Sequence, residues 1–261
     1  MRLRSAVQVL LACVLVIGAC GGSGPRPAGA AAIAPTPGRW TVTALGDSVT
    51  AGSACDCAAF VDSYAALTRQ ATGHRVTTEN LGVPGQTSTQ LRASLTGDTG
   101  TARRVAGSDI LIVTIGANDF APALDDWESG DCDLACFRPV ADSVRTDVAA
   151  IVHRIRTLRG GYPTAILVTD YWNVFRDGNA ADDLGTDYTT LAEQVTELAD
   201  TAICGGAADA GAVCVDLYAP FKGDGSSDPT GLLAADGDHP NAAGHLLIAE
   251  TLAAEGWQLS A

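Results

Sequence analysis

The chain of 261 residues holds a single lysine, Lys222, and its arginines are scattered rather than clustered. Its formal charge is −14 at pH 7. Neutralising a phosphate backbone needs a basic face, so no nucleic-acid partner is expected. The acidity favours solubility outside the cell and says little about fold. No G-x-x-x-x-G-K-[ST] stretch occurs, which removes a phosphate-binding loop. No G-x-S-x-G occurs either, which removes the usual strand–nucleophile–helix elbow of α/β-hydrolases. Paired C-x-x-C spacing is missing and the chain has four histidines, which argues against a structural metal. No internal repeat is visible.

What is present begins with Arg2 and Arg4, followed by the apolar run from Val7 to Ile17. The run falls short of the roughly 20 residues of a membrane-spanning helix and reads as a secretory signal over residues 1–19. Its ending, Val16-Ile17-Gly18-Ala19-Cys20, resembles a bacterial lipobox, which makes Cys20 a candidate for lipidation and for membrane anchoring. The alternative is an ordinary cleavage site between Ala28 and Ala32, with Cys20 discarded. Residues 20–39, rich in Gly, Pro and Ala, read as a flexible tether. The folded domain is expected over residues 40–261, about 220 residues, which suits one domain with a sizeable core.

Eight cysteines become six without Cys13 and Cys20, and an even count in an exported protein argues for disulfides. Cys132 with Cys136 and Cys204 with Cys214 are local pairs. Cys55 and Cys57 would close a tight C-x-C ring, so pairing with Cys132 and Cys136 is the alternative; sequence alone does not choose.

Short apolar runs alternate with longer helical patterns. Residues 41–46, 75–82, 109–116, 164–171 and 212–218 read as strands, several of them continuously apolar, as strands covered on both faces should be. Residues 60–72, 87–95, 137–159, 187–203 and 241–255 have helical spacing. In the third of these, Val140, Val144, Val148, Ile151, Val152 and Ile155 keep a 3.6-residue stripe. The alternation predicts an α/β fold, a mainly parallel five-stranded sheet between helical layers. Functional residues should then follow strands, at the carboxyl edge of the sheet.

Three strand ends and one late loop carry polar residues suited to acyl transfer. The first strand ends in "LGDSVTAG", where Ser48 follows Gly46-Asp47; read alone, Asp47 or Ser48 equally suits a helix N-cap. The second ends in "ENLGVPGQTS", with Gly82 and Gly85 around Pro84. The third ends in "TIGANDF", where Asn118 offers an amide. Near the C-terminus, "AADGDHPNAAGH" gathers Asp236, Asp238 and His239. A hydroxyl, a histidine, a carboxylate and N–H donors are the parts of serine-based acyl transfer.

In their order and placement these blocks, "GDS" (46–48), "NLGVPGQTS" (80–88), "GAND" (116–119) and "DGDHP" (236–240), resemble the SGNH/GDSL hydrolase family of esterases and lipases. The resemblance spans roughly residues 41–253. It implies a three-layer αβα sandwich of flavodoxin-like type. It also implies Ser48 as nucleophile, His239 as general base and Asp236 as the carboxylate that orients the imidazole. The oxyanion hole would be the Ser48 N–H, the Gly85 N–H and the Asn118 side chain, with Gly82 in reserve. No cofactor or metal is required, and a monomer is expected.

His74 and His153 lack an orienting partner, His245 suits packing or capping in the last helix, and Asp119 and Asp238 suit loop stiffening. The segments 121–139, with Trp127 and Phe137, and 171–185 are the two candidate walls of a substrate pocket. The leading function is hydrolysis of carboxylic esters through an acyl-enzyme. Deacetylation of an acetylated polysaccharide on the same residues is the alternative, and a non-catalytic surface lipoprotein is the third.

Overall fold

The computed structural model describes residues 30–97 and 99–257. The expected signal peptide 1–19, Cys20 and the tether as far as residue 29 lie outside the described residues. Among the described residues, β1 (Arg39–Gly46), β2 (Arg75–Gly82), β3 (Ile110–Thr114), β4 (Ala165–Thr169) and β5 (Val213–Val215) form one sheet. Its order is β2-β1-β3-β4-β5, and every pairing is parallel. The buried runs Ile-Leu-Ile-Val-Thr of β3 and Ala-Ile-Leu-Val-Thr of β4 form its middle. These are β-branched and aliphatic residues suited to a pleated surface covered on both faces.

Helices cover both faces. On one, α2 (Phe60–Thr72) packs against α9 (Ala242–Ala254), with the short α1 (Ser48–Ala51) leading into it and α8 (Tyr218–Lys222) beside α9. The other group comprises α3 (Ser88–Ser94), α4 (Gly100–Ala106), α6 (Phe137–Arg159) and α7 (Thr186–Asp209), with α5 (Ala121–Glu128) leading into α6. The expected stripe of α6 is its buried face: Val144, Val148, Ile151, Val152 and Ile155 are all fully enclosed. The helix α4 has no counterpart in the pattern reading; it is two turns long, opens on Gly100 and carries two arginines in its last turn.

Residues 30–38 run along this helical layer. The Ile33 N–H donates to the Ala106 carbonyl at 3.1 Å, and the Arg159 guanidinium donates to both the Ile33 and Ala106 carbonyls. Arg159 is itself buried beside Asp109, 3.6 Å away.

The bridges are Cys55–Cys57, Cys132–Cys136 and Cys204–Cys214. The alternative pairing of Cys55 and Cys57 with Cys132 and Cys136 does not occur. The first pair lies between α1 and α2 and the second between α5 and α6, in opposite helical layers. Ala54, in left-handed backbone at φ 57°, turns the chain into the small C-x-C ring.

Candidate active site

The first three strands end level with one another. Gly46 of β1 is in register with Gly82 of β2 and with Thr114 of β3. The chain leaves β1 through a close approach that only glycine allows: a Cβ on Gly46 would lie 1.9 Å from the Thr114 carbonyl oxygen. Asp47 then caps α1, accepting from the Val49 N–H at 3.0 Å. Of the two N-cap candidates it is Asp47 that caps, which leaves Ser48 as the first helical residue. Ser48 is half-buried at the floor of a cleft of about 270 Å³. First-turn N–H groups have no partner within their helix, so the Ser48 N–H stands at that floor as well.

Pro84, Gly85, Asn118, Tyr171, Val174 and His239 line the same cleft. The candidate oxyanion donors are therefore brought together. Gly82 is engaged elsewhere: its N–H donates to Asn80 Oδ1 at 3.0 Å, and a Cβ there would strike the Ala51 nitrogen at 2.3 Å. It is the seat on which α1 rests, while Gly85 faces the cleft. Asn118 donates one amide hydrogen to the Gln86 carbonyl at 3.2 Å, which fixes the amide plane and leaves the second hydrogen of its NH₂. Asp119 joins the second and third strand exits, accepting from the Ser88 N–H at 2.8 Å and the Ser88 hydroxyl at 2.6 Å. Loop stiffening is thus the role its contacts support.

His239 arrives on a closed loop. The Ala234 N–H donates to the His239 carbonyl at 2.8 Å, and Asp236 Oδ1 accepts from the His239 N–H at 3.2 Å. Asp236 Oδ2 accepts from the ring Nδ1 at 2.9 Å. Asp238 Oδ1 lies nearer still, 2.7 Å from the same nitrogen. The shorter contact is not the hydrogen bond: Asp238 Oδ1 is buried off the N–H direction and has no donor. Two carboxylates therefore face one ring nitrogen, and Asp238 does more than stiffen the loop. The contact with Asp238, followed by Asp236, outweighs burial and raises the imidazole to about 9. Burial pushes the Asp236 carboxyl up, but its hydrogen bonds from His239 and the loop N–H groups win and hold it low.

Behind the nucleophile, Asp47 is buried, and the Tyr171 hydroxyl donates to its Oδ2 at 2.5 Å. Desolvation lifts Asp47 to about 6, against the hydrogen bonds from Tyr171 and Val49 and the charge of His239. Tyr171 has no counterpart among the sequence-derived site residues, because an aromatic just past an apolar strand looks like core. Of the two candidate walls, the segment 171–185 contributes Tyr171 and Val174. The segment 121–139 does not line this cleft: Phe137 is buried in the core, and Trp127 packs edge-on against Tyr188. Tyr188 in turn donates to the Phe175 carbonyl at 2.5 Å, so this wall acts from behind.

The 171–185 segment also braces the histidine loop, through the Asp177 N–H donating to the Gly237 carbonyl at 2.7 Å. Lys222, buried, holds the Asp177 carboxylate at 2.5 Å and Glu193 at 3.1 Å. The remaining histidines stay out of the cleft. His74 stacks on Trp40, and His245 is enclosed beside Phe60, where burial and the charge of His239 lower it to about 4. Among the described residues, three groups of potential metal ligands lie within reach of one another: Asp236 with Asp238 and His239, Asp170 with Cys204 and Cys214, and Cys55 with Cys57 and His245.

The model of the GDSL-like Lipase/Acylhydrolase family matches residues 44–247. No curated protein matches the chain. Among solved structures, the lipase Lip_vut3 from a goat rumen metagenome is similar at a TM-score of 0.69 and 20% identity, over 84% of this chain and 98% of that one. Axe2, an acetylxylan esterase from Geobacillus stearothermophilus, is similar at a TM-score of 0.57 and 19% identity, over 85% and 97%. LAE5, an alpha/beta hydrolase enzyme from the metagenome of Lake Arreo, Spain, is similar at 0.58 and 19%, over 82% and 94%. At these identities the structural likenesses establish a common fold.

Proposed function

The chain belongs to the GDSL-like lipase/acylhydrolase family and is a carboxylic ester hydrolase; on that premise we propose that Ser48, His239 and Asp236 carry its chemistry. Ser48 Oγ attacks the ester carbonyl as its proton passes to His239 Nε2. Asp236, accepting from Nδ1, keeps Nε2 as the nitrogen that takes the proton. The tetrahedral oxyanion is received by the N–H groups of Ser48 and Gly85 and by the Asn118 amide. Collapse expels the alcohol, protonated by His239, and leaves an acyl-enzyme on Ser48. Water, deprotonated by His239, then releases the acid. The observation that carries this reading is the meeting of Ser48, Gly85, Asn118 and His239 around one cleft, with the Asp236–Nδ1 hydrogen bond behind it.

The substrate proposed is an ester with a short acyl group. The cleft of about 270 Å³ is below the roughly 300 Å³ at which pockets for drug-sized ligands begin. The acetylxylan esterase among the similar folds favours an acetylated carbohydrate as the second reading. Hydrolysis of p-nitrophenyl esters of increasing acyl length, with Ser48→Ala as control, tests both. Activity should peak at acetyl or butyryl and vanish in Ser48→Ala. Activity unchanged in that variant would refute the assignment, and release of acetate from acetylated xylan would favour the carbohydrate reading.

We further propose export, with residues 1–19 as signal, Cys20 as the lipidated anchor and the segment from 20 as tether to a domain that acts as a monomer. Disulfides in three places support an oxidising compartment. No described helix is long and apolar enough to cross a membrane, so attachment would rest on the acyl chains. A lipid mass on Cys20 in the purified protein tests the anchor. The single lysine and the net negative charge support a small ester or glycan, not a nucleic acid, as the partner.

A further inference from the structure

Cys55, Cys57 and His245 form a cluster that ester hydrolysis leaves without a role. The two sulfur atoms and a ring nitrogen all lie within 4.8 Å of one another. His245 is 1% exposed, and neither of its ring nitrogens has a hydrogen-bond partner. Native interiors satisfy almost all buried polar groups, so two orphaned nitrogens on one imidazole need an explanation. Stacking on Phe60, with centroids 6.3 Å apart, accounts for a face of the ring and not for its edge. The cysteines are only partly buried and flank the exposed Asp56, so a small reductant can reach the bridge.

We propose that Cys55, Cys57 and His245 are a redox-gated binding site for a thiophilic divalent cation of the zinc type. In the oxidised protein the Cys55–Cys57 bond withholds both sulfur ligands. A small-molecule dithiol reductant donates two electrons and two protons, leaves as its own cyclic disulfide, and converts the bridge into two thiols. The cation then displaces both thiol protons to solvent and binds two thiolates and one neutral imidazole nitrogen. Bonds of about 2.0–2.3 Å in a tetrahedral site separate ligand atoms by roughly 3.5 Å. The two sulfurs, bonded to each other in the bridged protein, move apart to that spacing on reduction, and the His245 nitrogen already lies within 4.8 Å of both. Three protein ligands leave the fourth position to water.

The position gives occupancy a consequence. The C-x-C loop follows the helix that begins at Ser48, and His245 stands in the helix that follows the His239 loop. A bound ion would tie the segment carrying the nucleophile to the segment carrying the base.

The test uses the full chain, reduced with dithiothreitol, freed of it without air, and titrated with Co²⁺. One Co²⁺ per chain should bind with a thiolate-to-cobalt charge-transfer band that Zn²⁺ abolishes, and the oxidised protein should show no band. Cys55→Ser/Cys57→Ser should lose the band, while Cys132→Ser/Cys136→Ser and Cys204→Ser/Cys214→Ser should keep it. His245→Phe, which keeps an aromatic ring against Phe60, should weaken binding by at least about tenfold. Absence of the band in the reduced chain, or undiminished affinity in His245→Phe, would overturn the proposal. None of these readings depends on hydrolysis, so they stand or fall apart from the esterase assignment.

Discussion

Replacing Asp238 by Asn should make the enzyme faster near neutral pH. Asp238 Oδ1 and Asp236 Oδ2 lie 2.7 and 2.9 Å from His239 Nδ1, and the ring is raised to about 9. A general base must be neutral to take a proton. Two units below that value only about one imidazole in a hundred is neutral, so kcat/KM in the wild type should climb about tenfold per pH unit up to about 9. A unit charge 2.7 Å away contributes about 1.5 kcal/mol even at the dielectric constant of water. That is about one pKa unit, and partial enclosure of the pair makes it a lower bound. Asp238→Asn should therefore move the acidic limb down by about one unit or more and raise kcat/KM at pH 7 about tenfold. Asp236→Asn removes the hydrogen-bonded orienter, a change that costs about 10⁴ in triad enzymes; here the loss should be smaller, because Asp238 remains beside Nδ1. The assay is kcat/KM for a short-chain p-nitrophenyl ester across the limb, corrected for spontaneous hydrolysis. A limb that stays put in Asp238→Asn, or activity that collapses there and survives in Asp236→Asn, would refute the division of roles.

Asn118→Ala removes one oxyanion donor and should lower kcat by about 10²–10³ with little change in KM, measured on the same esters. Gly82→Ala forces a methyl group to within 2.3 Å of the Ala51 nitrogen; urea unfolding should show a loss of about 1–3 kcal/mol, and kcat should fall because α1 carries Ser48. Asp170 is buried and raised to about 7, first by desolvation. A carboxyl raised in the folded state stabilises it fully below the unfolded value, and that contribution is lost as pH rises through the folded one. The unfolding free energy from urea titrations should therefore fall between about pH 4 and 7 and level off above, by up to about 4 kcal/mol across the whole window for this group. Asp170→Asn, which can still accept the Leu217 N–H, should flatten the drop; an equally steep profile in the variant would refute it.

Much of this architecture is legible in the sequence because buried parallel strands are apolar throughout, and the runs 109–116 and 164–171 show that pattern around the observed strands Ile110–Thr114 and Ala165–Thr169. The placement of Ser48, Gly85 and Asn118 follows from the same logic, since each stands just past a strand. Asp238 is different. One residue separates it from Asp236, and whether both carboxylates reach the same nitrogen depends on the turn at Gly237, whose φ of 78° spacing does not reveal. Tyr171 was hidden for another reason: its partner Asp47 lies 124 positions away, and only the adjacency of strand exits brings them together. Trp127 and Phe137 do not reach the cleft because the segment after Asn118 folds into α5 and the start of α6, where Phe137 is buried in the core and Trp127 packs against Tyr188, so that it supports the cleft wall from outside.

The three bridges among the described residues span only 2, 4 and 10 positions of the chain. None joins distant parts of the molecule or crosses from one helical layer to the other. Each can close as soon as its own short segment is available, in any order and without waiting for the sheet. A chain oxidised while still being delivered, end first and unfolded, would meet its correct partner before any distant cysteine came within reach. Such pairing builds order of arrival into the sequence itself, and leaves little for an isomerase to correct.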